Sequence, residues 1–288
     1  MPHILGAQHL VSFALSLARL WAWLFLIVVI FAPLEYFFGR RPHEFFQKSL
    51  LRDVGFYFIS GLVPALLLSV PLSLAAYGAH LLVPAAIQNA ITAWPLWVQV
   101  AVGVAIGEIG FYWGHRLTHA VPFLWRFHAV HHSAEEVYFL TSARSHPVDN
   151  AFTRLCGLVP CYILGVANPL TPTGSLVPTL IIIATIAWGF FIHANLRLRL
   201  GPLEWLIATP GFHHWHHTKS DHKDRNFAPM LPVVDWLFGT LHLPAQWPTA
   251  YGVESPLPAS LMGQMLYPLR APTADETLLQ TAEGFSRK

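Results

Sequence analysis

From Val54 to His80 the chain carries no Asp, Glu, Lys or Arg. A helix needs about 20 apolar residues to cross a bilayer, and such a run fits a span better than the one-faced pattern of a soluble helix. Leu20–Leu34 and Gly174–Ile192 are equally free of charge, and Ile91–Gly114 holds one carboxylate, Glu108. Leu155–Ala167 is apolar but short for a span, so it reads as a fifth crossing or a half-buried hairpin arm. Charged residues make up 11% of the 288 positions, well under the roughly 25% of soluble domains. The expected fold is therefore all-α: an integral membrane helical bundle of about four to five spans. Residues 1–270 form one domain in this reading, and 271–288 a polar C-terminal tail. Leu257–Leu269 is apolar enough to lie on a membrane surface.

The connecting segments give an orientation. Arg40, Arg41, Lys48 and Arg52 follow the first run, Arg116, Arg126 and Arg144 the third, and Arg197, Arg199, Lys219, Lys223 and Arg225 the last. Leu81–Pro95 and Asn168–Thr173 contain no Lys or Arg. By the positive-inside rule the charged side is cytoplasmic. A net charge of +2, with no basic run among aromatics, argues against a nucleic-acid partner. Cys156 and Cys161 match neither a zinc ribbon nor a redox pair, and read as small buried hydrophobes.

On the charged side lie three histidine clusters: HRLTH (His115, His119), HAVHH (His128, His131, His132) and HHWHH (His213, His216, His217, with His214 between). Spacings of three and four put imidazoles on one face of a helix. Neutral imidazole is the commonest protein ligand for a transition metal, and these eight rings exceed the needs of one tetrahedral ion. Two metal ions in one histidine-rich cap is the economical reading. HExxH and paired Glu-x-x-His motifs are absent, which disfavours a zincin protease and a soluble carboxylate di-iron bundle. A membrane metal or haem protein in transport or electron transfer remains the alternative. Bis-histidine haem leaves most of the rings unexplained, and a transporter calls for polar groups near the midplane. Glu108 is either functional or a partner for Arg or His at its helix end. His3, His9, His43, His80 and His242 read as non-ligands, and Trp94, Trp97, Trp113, Trp125 and Trp188 as interface anchors.

The series HRLTH, HAVHH, RSHPVD, FIHAN and TPGFHHWHH, then DRNF and DWLFGT, resembles the fatty acid hydroxylase and sterol desaturase superfamily from about Asp53 to Pro244. LGPLEWLIATP and the Ser133 that follows HAVHH look like its bacterial sterol-desaturase-like branch, near alkylglycerol monooxygenase. The resemblance implies a membrane-bound non-haem di-iron oxygenase that hydroxylates or desaturates a lipid at a C–H bond. It implies two iron ions (zinc in isolated protein), dioxygen, and a separate electron donor: a reductase, b-type cytochrome or ferredoxin. The expected location is the bacterial inner membrane. Carried over by position, the ligands are His115, His119, His128, His131, His132, His146, His193, His213, His216 and His217. His214 falls where the family has another residue and is left out. Glu135, Asp149, Asp224, Asn226 and Asp235 are candidates to hold the outer nitrogens of the ligands. Two family patterns depart here, to Asn226-Phe227-Ala228 and Val234-Asp235-Trp236.

Overall fold

The computed structural model describes residues 2–41, 49–167, 176–219 and 222–270, with side chains from His9 onward. His43 and the 271–288 tail lie outside the described residues. α1 (Pro2–Phe38), α2 (Leu50–Leu82), α4 (Leu96–Ala120) and α7 (Leu176–His193) are the helices long and apolar enough to cross a membrane. Their large apolar side chains point outward, as Phe25 at 71% and Leu66 at 74% exposure show. That arrangement suits lipid as the surrounding solvent. Among the described residues no strand forms; single bridges join Gly39 to Leu196 and Thr218 to Tyr251.

The run from Ile91 does not continue unbroken. Helix α3 (Ala85–Thr92) ends there, and α4 restarts after Pro95, whose ring removes a backbone donor. Leu155–Ala167 supplies the second half of α6 (Pro147–Ile163), too short to be a crossing of its own. Helix α6 packs inside the bundle on α2 and α4. Its approach to α4 depends on glycine: a Cβ on Gly110 would lie 2.1 Å from the Cys156 carbonyl oxygen. Pro64 and Pro71 sit within α2, where neighbouring groups can re-satisfy a freed carbonyl. Leu257–Leu269 contains a short helix (Leu261–Leu266) and a 3-10 turn over Tyr267–Leu269.

Two buried acids tie the spans together at one end. Glu35 Oε1 accepts from the backbone N–H of Phe139 and of Asn195, both at 2.8 Å. Asp53, in the first turn of α2, receives Arg144 through Nε and a terminal nitrogen, each at 2.7 Å, and the Tyr138 hydroxyl at 2.8 Å. Both charges are buried, so each depends on the other to offset desolvation.

Candidate metal centre

At this end of the bundle four helices present their histidines. The last turns of α4 hold His115 and His119. Helix α5 (Pro122–His132) opens at Pro122, where the chain can break after α4, and carries His128, His131 and His132 on one face. His193 is the last residue of α7. Helix α8 (Pro210–His216) starts at Pro210 with the Thr209 hydroxyl accepting from Phe212 N–H, so His213 and His216 follow at once on a capped turn. His217 is its C-terminal cap.

The rings form two groups. Nitrogens of His115, His119, His128, His132 and His216 all lie within 4.8 Å of one another, and so do those of His131, His193, His213 and His217. All nine are buried. The groups share a wall, for the His132 and His217 rings stack with centroids 4.6 Å apart.

Hydrogen bonds on the outer nitrogens decide what the inner ones offer. His115 Nδ1 donates to the Phe227 carbonyl at 2.7 Å, and His128 Nδ1 to the Asp149 carboxylate at 3.0 Å. Carbonyl and carboxylate oxygens only accept, so both rings turn a lone pair inward at Nε2. Those two Nε2 atoms are 3.1 Å apart. In the second group His131 Nδ1 donates to the Arg144 carbonyl and His193 Nδ1 to the Gly189 carbonyl; their Nε2 atoms stand 3.2 Å apart. His216 Nδ1 likewise donates to the Arg225 carbonyl, with Nε2 3.0 Å from that of His132. His193, His213 and His217 bring three Nε2 atoms within 3.0–3.2 Å of each other. Facing lone pairs repel at such range unless a cation lies among them. Nitrogens each about 2.1 Å from one ion stand about 3.0 Å apart at a right angle and about 3.4 Å at the tetrahedral angle. The donor set therefore fits metal ions in both groups.

Electrostatics agree. Burial, reinforced by neighbouring imidazoles, holds His132, His213, His216 and His217 well below the ordinary histidine range, and His131 at about 4. Neutral rings are the form that ligates. Burial alone would raise the Asp149 carboxyl; the contact with His128 outweighs it and keeps the group below the usual carboxylate range.

A cavity of about 480 Å³ opens beside the histidines. Leu20 and Ile27 of α1, Phe111 of α4, Leu158 of α6 and Ile181 and Phe190 of α7 give it apolar walls, and His115, His128, His131, His193 and His213 reach its end. The size and lining are those of a site for a small apolar ligand.

Of the sequence-expected ligands, His115, His119, His128, His131, His132, His193, His213, His216 and His217 come together. His146 does not: its Nδ1 accepts from Val148 N–H as the cap of α6, and its Nε2 lies against the Met265 carbonyl. His214 bonds outward to the Tyr251 hydroxyl and the His193 carbonyl. Asp149 holds His128, and Asp224 holds His119 at 3.0 Å. Asp235 acts one step further out, accepting from Phe227 and Ala228 N–H beside the carbonyl that takes His115. Asn226, at φ 58°, joins the Phe212 and His242 backbones and touches no ligand ring. Glu135 is exposed and meets no histidine of the two groups. Glu108 pairs with neither Arg nor His; its Oε1 accepts from Met230 and Leu231 N–H at 2.6 Å. Sequence reasoning passed over Asp53 and Arg144. A lone carboxylate in the first turn of an apolar helix was the available signal.

Residues 100–240 match the model of a family described as fatty acid hydroxylase. An ornithine lipid hydroxylase from Rhizobium tropici is 34% identical over 61% of this chain and 51% of its own length. Alkylglycerol monooxygenase from Homo sapiens is 30% identical over 56% of this chain and 34% of its own. A very-long-chain aldehyde decarbonylase from Oryza sativa subsp. japonica is 30% identical over 49% of this chain and 52% of its own. The chain thus spans about half the length, or less, of these relatives. No solved structure matches it at a significant level.

Proposed function

Through residues 100–240 this chain belongs to the fatty acid hydroxylase family, and on that premise we propose that it is a membrane-bound non-haem di-iron oxygenase acting on a lipid. The nine histidines of the two groups are its proposed ligands. One observation carries the reading: two adjacent sets of inward lone pairs end an apolar cavity between membrane-spanning helices. Hydroxylation is favoured over desaturation because similar proteins are named as a hydroxylase and a monooxygenase. The proposed co-reactants are dioxygen and electrons from a separate reductase, b-type cytochrome or ferredoxin. The histidine end is proposed to face the cytoplasm of a bacterial inner membrane; the Lys and Arg distribution supports the side.

When bound, two iron ions supply activation of dioxygen, chemistry that side chains lack. The chain's own part is positioning. Asp149, Asp224 and the carbonyls of Phe227, Arg144, Gly189 and Arg225 fix which nitrogen faces inward in six of the nine rings. The apolar walls exclude water and hold a hydrocarbon chain beside that end. Entry from the bilayer suits a cavity lined by α1, α4 and α7.

Metal analysis with lipid profiling tests this. Purified protein is expected to hold about two irons, with His128→Ala depleting one group and His213→Ala the other. Lipids from cells expressing the gene should include one that gains a single oxygen, absent with His131→Ala. Unchanged lipids in cells whose protein is fully metallated would overturn the reading.

A further inference from the structure

The described lining of the cavity holds one cationic side chain, and the metal site does not use it. Arg154 lines the cavity from α6, one turn beyond Asn150 on the same face. Its side chain is partly buried, and among the described residues it makes no hydrogen bond or ion pair. The carboxylates that line the same cavity are committed elsewhere. Asp149 receives His128 and the Ser145 hydroxyl, and Glu108 receives two backbone N–H groups. Asn150 adds a second open demand, because its Oδ1 is buried with no partner. An amide of this kind can turn either its oxygen or its NH₂ toward a ligand.

A guanidinium is charged at any physiological pH and carries five donors in a planar fork. Left unpaired against apolar walls it is costly, so a chain that keeps it there draws its counter-charge from something else. The fork matches carboxylate and phosphate in a two-point contact. We propose that Arg154 is the receptor for an anionic group on the substrate: an amphiphile bearing a carboxylate or phosphate. The inference rests on the reading that the cavity is the substrate site. It also sets where the reaction falls. Asp149, which holds His128, and Arg154 are five residues apart on α6, a rise of about 7.5 Å. The reacting carbon then lies near the polar end of the lipid rather than far along its chain.

Binding of a fluorescent long-chain fatty acid and of its methyl ester to the iron-loaded protein in detergent tests this. A charge-assisted contact is worth about 1.5–3 kcal/mol, so the acid should bind roughly ten- to a hundredfold tighter than the ester. Arg154→Gln should erase that gap and leave ester binding and iron content unchanged. Arg154→Lys, which keeps charge without the fork, should restore part of it. If acid and ester bind wild type equally, the anion receptor is wrong while the cavity reading stands. If neither binds, both fail. Displacement of the acid by inorganic phosphate would make Arg154 a free-anion site and overturn the lipid assignment. Should Arg154→Gln not fold, the acid-to-ester ratios of wild type and Arg154→Lys still decide.

Discussion

Asp53→Ala removes a carboxylate that never approaches a proposed metal ligand, yet it should be among the most damaging single changes in the chain. Its two oxygens take both arms of Arg144 and the Tyr138 hydroxyl, with the Arg144 side chain only 2% exposed. Truncation strands that guanidinium. Breaking a buried pair from one side costs about 3–5 kcal/mol, and the orphaned hydroxyl adds about 1 kcal/mol. At about 2–4 °C per kcal/mol for a domain of this size, the melting temperature in detergent should fall by roughly 8–24 °C. The Arg144 carbonyl holds His131, so iron in the second group should fall as well. The double variant Asp53→Leu with Arg144→Met separates charge from shape. Replacing both partners by apolar groups is often close to neutral, so most of the lost stability should return. A single variant within about 1 kcal/mol of wild type, or a double variant no more stable than the single, would refute the claim that this pair fixes the Tyr138–Ser145 segment.

Three further outcomes follow from the same geometry. His146→Ala should leave iron content unchanged and cost about 1 kcal/mol, the loss of a helix cap; a fall in iron on metal analysis would return His146 to the ligand set. Gly110→Val should force α4 from α6, since even its Cβ meets the Cys156 carbonyl at 2.1 Å. A cost of about 1–3 kcal/mol or more, together with iron loss, is expected by calorimetry and metal analysis. Chelated protein should weaken on acidification. His131 is at about 4 when folded against an ordinary 6.5, and His132, His213, His216 and His217 are also lowered. The unfolded chain therefore binds more protons below pH 6.5, and stability present above that pH is lost as pH falls toward the folded values. Melting curves of chelated protein should shift down between pH 7.5 and 5.5, and those of iron-loaded protein at least as far, since bound metal also keeps the folded rings unprotonated; chelated protein no less stable at pH 5.5 than at pH 7.5 would contradict it.

Spacing made much of the site legible, because an imidazole can ligate only where a helix turn points it. Three clusters at steps of three and four name eight rings, and the resemblance adds His193. The same resemblance also adds His146, whose proline neighbour makes it a cap instead. What the sequence could not disclose is how the rings are aimed. Four of them donate to backbone carbonyls, of Phe227, Arg144, Gly189 and Arg225, and any residue type carries a carbonyl. The information lies in the shape of the segments, and buried acids, three of the four 91 to 160 residues away in sequence, set that shape. Asp235 ties down the N–H of Phe227, Glu108 those of Met230 and Leu231, Glu35 that of Asn195 two residues after His193, and Asp53 the side chain of Arg144. A carboxylate buried in an apolar bundle is expected to mark function. Here these four do so at one remove: each fixes a segment, and in three of the four a carbonyl or ring of that segment meets the histidine site. Among the described residues Asp149 and Asp224 are the carboxylates that hydrogen-bond proposed ligands directly; nearness to the histidine motifs named those two, together with Glu135 and Asp235, which do not, and passed over Asp53.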